Sequence, residues 1–184
     1  MDNGAGSYRR FLAGDENGFV EIVKDYKDGL ILYLDSFVRN ISAAEELAED
    51  TFVKLGVKKP RFSEKSSFRT WLYAIGRNVA LDYMRKQAKV NCVSTDMCEE
   101  LADEEELEKS VLREERKIIV HRAMNKLKTE YRQVLWLLYF EGFSCKETAA
   151  VMKKSVHNIE SLSYRAKKSL KSELIKEGFD DENL

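Results

Sequence analysis

Six residues near the C-terminal end of the 184-residue chain have the types and spacing to read a nucleic acid. If residues 155 onward form a helix, His157, Ser161, Tyr164 and Lys168 recur at three- and four-residue intervals on its outward face, with Asn158 and Arg165 on the flank. Polar side chains near the start of such a helix reach base edges, and Arg165, Lys167, Lys168 and Lys171 suit phosphates. The stretch Ser144 to Ala166, SCKETAAVMKKSVHNIESLSYRA, has the spacing of a helix-turn-helix. Ser144 and Glu147 form a capping box, Ser155 caps the second helix, and Ala149 is small enough to let the helices cross closely. Ile159, Leu162, Ala166 and Leu170 face inward. Such a unit lays its second helix in the major groove of DNA. An ordinary helical hairpin carries the same local signals.

A second group lies upstream. Residues 68 to 86, FRTWLYAIGRNVALDYMRK, read as a long helix capped by Ser67 and running to about Gln87. At about 100° per residue, Phe68, Leu72, Ile75, Val79 and Tyr83 share a core face. Trp71, Asn78 and Arg85 lie seven apart in a separate stripe, where an aromatic, an amide and a guanidinium offer stacking, edge hydrogen bonding and phosphate contact. A tryptophan there equally fits the core. The preceding loop, Lys58 to Ser67, contains Pro60 and adds positive charge at Lys58, Lys59, Arg61 and Lys65.

The elements that position these groups are helical. Phe19, Ile22, Val23, Tyr26, Leu30, Tyr33, Leu34 and Phe37 predict a helix over residues 15 to 39 with Asp15 as cap. Ser42 and Glu45 predict a capping box for the next helix. Further helices are predicted from about Leu107 to Lys128, and from a Thr129 cap to Gly142. The fold class is all-α, with two small helical domains joined by an acidic flexible linker. The expected domains are residues 1–90 and 111–178, with the linker at 91–110 and a tail at 179–184.

Composition narrows the function. The net charge of −1 is unevenly distributed. Residues 1–90 carry 15 basic and 13 acidic side chains, residues 91–116 carry 3 and 10, and residues 117–184 carry 13 and 9. Two mildly basic halves therefore flank an acidic segment. The three cysteines, Cys92, Cys98 and Cys145, form no C-x-x-C pair, and His121 and His157 complete no metal-ligand pattern, so neither a metal nor another cofactor is expected. No phosphate-binding glycine loop or nucleophile–base signature is present, so no catalytic residues are assigned. The start, MDNGAG, is no secretory signal, and the apolar run Val134 to Phe140 is too short to span a bilayer. A cytoplasmic location without direct membrane contact is expected.

Taken together and in order, YRRFLAGDENGF from Tyr8, AEELAEDTFVKL from Ala44, the long helix from Phe68, YRQVLWLLYFEG from Tyr131 and the helix-turn-helix resemble the RNA polymerase sigma factors of the extracytoplasmic-function (ECF) group. The resemblance covers nearly the whole chain. It implies a factor that recruits core polymerase to promoters and helps to melt them. Phe62, Ser63, Lys65 and Ser66 then match the loop that captures a flipped base of the minus-ten element, with Trp71, Asn78 and Arg85 beside it. The outward residues of the last helix match readers of the minus-thirty-five element. Glu45, Glu46, Glu49 and Asp50 match the segment that docks on the clamp helices of the polymerase β′ subunit. The polymerase β flap, promoter DNA and an anti-sigma factor are the other implied partners, and the linker matches a segment that threads the polymerase cleft. A stand-alone helix-turn-helix regulator would need neither the docking segment nor the base-capturing loop. A sigma-derived protein adaptor finds its support in Glu160 and Leu162.

The chain departs from the family pattern where specificity is set. After Ser155 the family commonly has Thr-Val-Lys-Ser-Arg-Leu, whereas this chain has Asn158-Ile159-Glu160-Ser161-Leu162-Ser163. Basic residues are lost and an acid is gained. The turn holds Lys153 and Lys154 where glycine and an apolar residue are usual. Lys153 in the left-handed conformation costs on the order of 1 kcal/mol.

Overall fold

A computed structural model describes residues 4–91 and 111–178. Asn91, the expected start of the linker, belongs to α4, and residues 92–110 of the linker, with Cys92 and Cys98, and the tail lie outside the described residues. Within them the elements are helices α1 (Gly4–Leu12), α2 (Glu16–Val38), α3 (Ile41–Lys58), α4 (Phe68–Asn91), α5 (Val111–Asn125), α6 (Thr129–Leu135), α7 (Cys145–Met152) and α8 (Val156–Lys176), with a π-helical turn over Trp136–Phe140.

The first half packs α1, α3 and α4 around α2. Ile22, Leu30 and Leu34 are fully buried, each an apolar side chain worth about 1.5–3 kcal/mol of burial, and Tyr33 is buried among them. The helix begins as its sequence predicts, the Asp15 carboxylate accepting from the Asn17 N–H. Gly18 allows α1 to lie directly on α2, since a Cβ there would sit 2.3 Å from the Ser7 carbonyl oxygen. Tyr8 is buried and donates from its hydroxyl to the Pro60 carbonyl at 2.7 Å, tying α1 to the loop before α4.

Three local expectations are corrected. The cap of α3 is Asn40, whose side chain accepts from the Ala43 N–H. Ser42 and Glu45 lie inside the helix, because Arg39 in the left-handed region ends α2 and leaves Asn40 free to start the next helix at once. Thr129 is not a cap: α6 starts after Lys128 without a side-chain cap, and the Thr129 hydroxyl accepts from Arg132 at 3.2 Å. The buried face of α4 is rotated from the predicted one. Phe68, Leu72, Tyr73 and Ala80 are buried, whereas Ile75, Val79 and Tyr83 are only half-buried. Tyr73 is covered by Phe143 of the second half, with ring centroids 5.1 Å apart, so α4 has a second packing partner that its own periodicity does not reveal. Ser67 does open α4, accepting from the Thr70 N–H, and the helix runs four residues beyond Gln87.

The second half is built on α8, against which α5, α6 and α7 pack. Its core is aliphatic: Val134, Leu137, Val151, Met152, Ile159 and Ala166 are at most 1% exposed. Ser144 and Glu147 form the expected capping box, and Ser155 accepts from the Asn158 N–H to start α8. The Ser144 backbone N–H, together with the Ser144 hydroxyl, donates to the Glu147 carboxylate and holds it below its ordinary range. Lys153 ends α7 in the left-handed region, at φ 55 and ψ 46. None of the helices among the described residues is long and apolar enough to cross a membrane.

The two halves touch. Helix α4 packs on α7, and α2 on α6. The Arg132 guanidinium is buried and reaches the last turn of α2, donating to the Ser36 carbonyl at 3.0 Å and to the Leu127 carbonyl at 2.6 Å. Among the described residues no carboxylate forms an ion pair with it, Asp35 acting only at longer range. Unpaired carbonyls at the C-terminal end of a helix are a natural acceptor for a cation. Burial and the nearby charge of Arg39 push its pKa down to about 10, so it remains protonated at neutral pH.

Candidate nucleic-acid interface

The outward face of α8 is as its spacing predicts. His157, Asn158, Ser161, Tyr164, Arg165 and Lys168 are all exposed, and so is Glu160. Ile159, Leu162 and Ala166 are buried and Leu170 is half-buried. Tyr164 is 72% exposed. Arg165 folds back to the Ser161 carbonyl at 3.3 Å. The face therefore offers hydroxyl, amide, imidazole and cationic groups in one row, the set needed for base edges and phosphates. Lys167 leans on the Tyr139 ring at 4.8 Å.

The upstream group is arranged differently. Phe62 and Trp71 are half-buried members of an aromatic cluster with Tyr8 and Phe68, at centroid separations of 5.0 to 5.6 Å. The loop beyond Phe62 presents Ser63 and Lys65 to solvent, with Ser66 half-buried. Glu64 in this loop lies at φ 56. Tight turning of this kind displays the small polar residues around it. Arg85 is exposed and paired with Asp82 at 3.1 Å. Asn78 is half-buried and its amide oxygen accepts from Lys153 of the second half at 3.0 Å. Loop, ring cluster and α4 stripe thus form one surface, in which rings that could stack on a base also hold the fold.

On α3, Glu45, Glu46, Glu49 and Asp50 are exposed. Val53 and Val57 continue the same surface and are 59% and 77% exposed. The face therefore combines acidic groups with two exposed apolar side chains, a character that suits a basic protein partner better than the phosphates of a nucleic acid. The alternation of acids with buried Leu47, Ala48 and Phe52 makes the acidic face legible in the sequence. The valines carry no such signal, because on an isolated helix they read as core.

Known families match both halves. The model for sigma-70 region 2 matches residues 22–90, and that for sigma-70 region 4 matches residues 117–170. The chain belongs to the ECF-type RNA polymerase sigma factors. It is 28% identical to the RNA polymerase sigma-H factor of Pseudomonas aeruginosa over 170 residues, covering 88% of each chain. It is also 28% identical to the ECF sigma factor SigM of Bacillus subtilis, covering 88% of this chain and 98% of that one. Its fold matches the sigma factor RpoE of Bartonella quintana, solved in complex with the anti-sigma factor NepR, with a TM-score of 0.72 and 26% identity over 86% of this chain and 96% of that one. As a sigma factor the protein binds core polymerase and promoter DNA and directs promoter recognition in transcription initiation.

Sequence reasoning on this sigma factor missed the groups between its two regions. Glu141 lies just past the π turn and is paired with Arg69, and it accepts from the Tyr73 hydroxyl at 2.7 Å. The π turn takes up an extra residue, so that the Glu141 N–H bonds back to Trp136 and the Phe143 N–H to Leu137. No periodic pattern announces such a turn.

Proposed function

We propose that the two regions act as domains 1–90 and 111–178, joined by 91–110 and followed by a tail at 179–184, and that their exposed faces divide the work of promoter use. Glu45, Glu46, Glu49 and Asp50 dock on the polymerase β′ clamp helices, with Val53 and Val57 as apolar contacts. Phe62, Ser63, Lys65, Ser66, Trp71, Asn78 and Arg85 capture and read the minus-ten element as it melts. His157, Asn158, Ser161, Tyr164, Arg165 and Lys168 read the minus-thirty-five element in the major groove. The second domain engages the β flap. The observation that carries this reading is the complete polar outward face of α8, six exposed residues backed by a continuous buried face, in the region that matches sigma region 4.

The protein works as an initiation factor in the cytoplasm with no catalytic centre of its own. An anti-sigma factor holds it inactive until a signal arrives; the similar fold of a sigma factor solved with its anti-sigma factor supports this. Run-off transcription with core enzyme tests the reading. Wild-type protein should initiate at a discrete set of promoters. Glu46→Lys with Asp50→Lys should abolish co-purification with β′ and transcription while leaving the circular dichroism spectrum intact, because reversing two charges turns attraction into repulsion. Normal co-purification of a folded double variant overturns the docking assignment.

A further inference from the structure

The two candidate reading surfaces are held too close together to be used at once. Lys153 donates to Asn78, at the edge of the minus-ten surface, and His157 follows Lys153 by only four residues. Four residues span at most about 14 Å of chain. Promoter elements centred near positions −10 and −35 are about 85 Å apart along B-form DNA. The arrangement is therefore a closed one that must open before both elements are read.

What holds it closed is specific. The Glu141 side chain is 11% exposed, at the junction of α2, α4 and the π turn, and pairs with the Arg69 guanidinium. It also accepts from the Tyr73 hydroxyl, whose own proton is held more tightly by burial and by the carboxylate. Arg69 stacks over the Phe143 ring at 4.4 Å, so the cation is gripped from two sides by the second region. Gly29 on α2 makes the room: a Cβ there would sit 2.6 Å from the Tyr73 hydroxyl and 2.9 Å from a Glu141 carboxylate oxygen. One turn away, Ser67 donates to Glu147 at 3.5 Å and closes α7 over the end of the base-capturing loop.

We infer that Glu141, clasped by Arg69 and Tyr73, is an autoinhibitory latch that keeps the free sigma factor closed and masks the Asn78 edge until polymerase separates the two regions. The masking half of this inference rests on the proposed role of Asn78; the closure itself does not. A free chain closed nine-tenths of the time binds a minus-ten strand about tenfold more weakly than its open form.

The test uses the full chain without polymerase. Small-angle scattering reads closure, and fluorescence anisotropy reads affinity for a single-stranded minus-ten oligonucleotide. Wild type should have a radius of gyration close to the about 16 Å of a compact chain of this length. Glu141→Arg should raise it by several Å and strengthen oligonucleotide binding about tenfold or more. The swap Arg69→Glu with Glu141→Arg should return both to wild type. If Glu141→Arg fails to fold, Gly29→Ala decides on the same two readouts: it favours the helix but crowds the carboxylate out of its seat. An unchanged radius in a folded variant overturns the latch. Expansion without a gain in affinity overturns the masking, and the effect of Asn78→Ala on promoter opening by holoenzyme then shows whether the role of Asn78 has failed with it.

Discussion

The two regions of this sigma factor solve the same problem in opposite ways. In the first, the side chains proposed to meet DNA are part of the packing: Phe62 and Trp71 lie in a ring cluster with Tyr8 and Phe68, and Asn78 is tied to the other region. In the second, the face of α8 proposed to read DNA is separate from its core, with Tyr164 exposed and Ile159 fully buried five residues away. The difference follows from the task. Capturing an unstacked base requires a ready-made aromatic pocket, which must be built from the interior outward. Reading an intact major groove requires only a straight helix with a free side. Substitutions should therefore couple stability to function in the first region and uncouple them in the second.

The sharpest attempt to break that contrast is Trp71→Ala. It should cost about 3 kcal/mol of stability, as loss of a large ring from a packed cluster does, and should slow promoter opening in the same variant. Thermal melting and permanganate footprinting check the two together; a variant that opens promoters poorly at full stability would place Trp71 outside the packing. Next in size is Tyr164→Ala, which should cost about 1–3 kcal/mol in promoter binding by holoenzyme while leaving the melting temperature unchanged. A drop in melting temperature would mean that the α8 face is not separate from its core.

Glu160→Lys refines the same face. The carboxylate is exposed among groups proposed to meet DNA. If it only repels phosphates, the change should strengthen binding at all promoters by up to about tenfold and steepen the salt dependence by roughly one phosphate contact. Base selection on the minus-thirty-five element checks this, and a preference lost at a single position would instead assign Glu160 to a base. The smallest effect is local to the second region. Ser144→Ala removes half a capping box and should lower stability by about 0.5–1 kcal/mol. The Glu147 carboxyl has a depressed pKa in the folded state, so its contribution is present above its ordinary value near 4.5 and fades as pH falls through the folded pKa. Urea melts of wild type and Ser144→Ala across that range should draw closer at the acidic end without meeting, because the Ser144 hydroxyl still accepts from the Glu147 N–H there.

The legible parts of this protein share a physical scale. Asp15, Ser67, Ser144 with Glu147, and Ser155 announce helix starts because each cap bonds a backbone N–H two or three residues on. The outward row of α8 is legible because its period is set by one helix. Ser42 and Thr129 misled for the opposite reason. Each has the right type for a cap, but Asn40 and the demand of Arg132 for an acceptor decide what happens there.

By itself, then, the sequence determined the all-α class, most helix limits, the acidic face of α3 and the exposed polar face of α8. Tertiary structure alone decided that Tyr73 rather than Ile75 is buried, that Arg132 closes on the end of α2 across 96 residues, and that Glu141 meets Arg69 across 72. Caps and helical faces are settled within a turn of the backbone, whereas the burial of a charge depends on which distant carbonyl or guanidinium the packing brings to it.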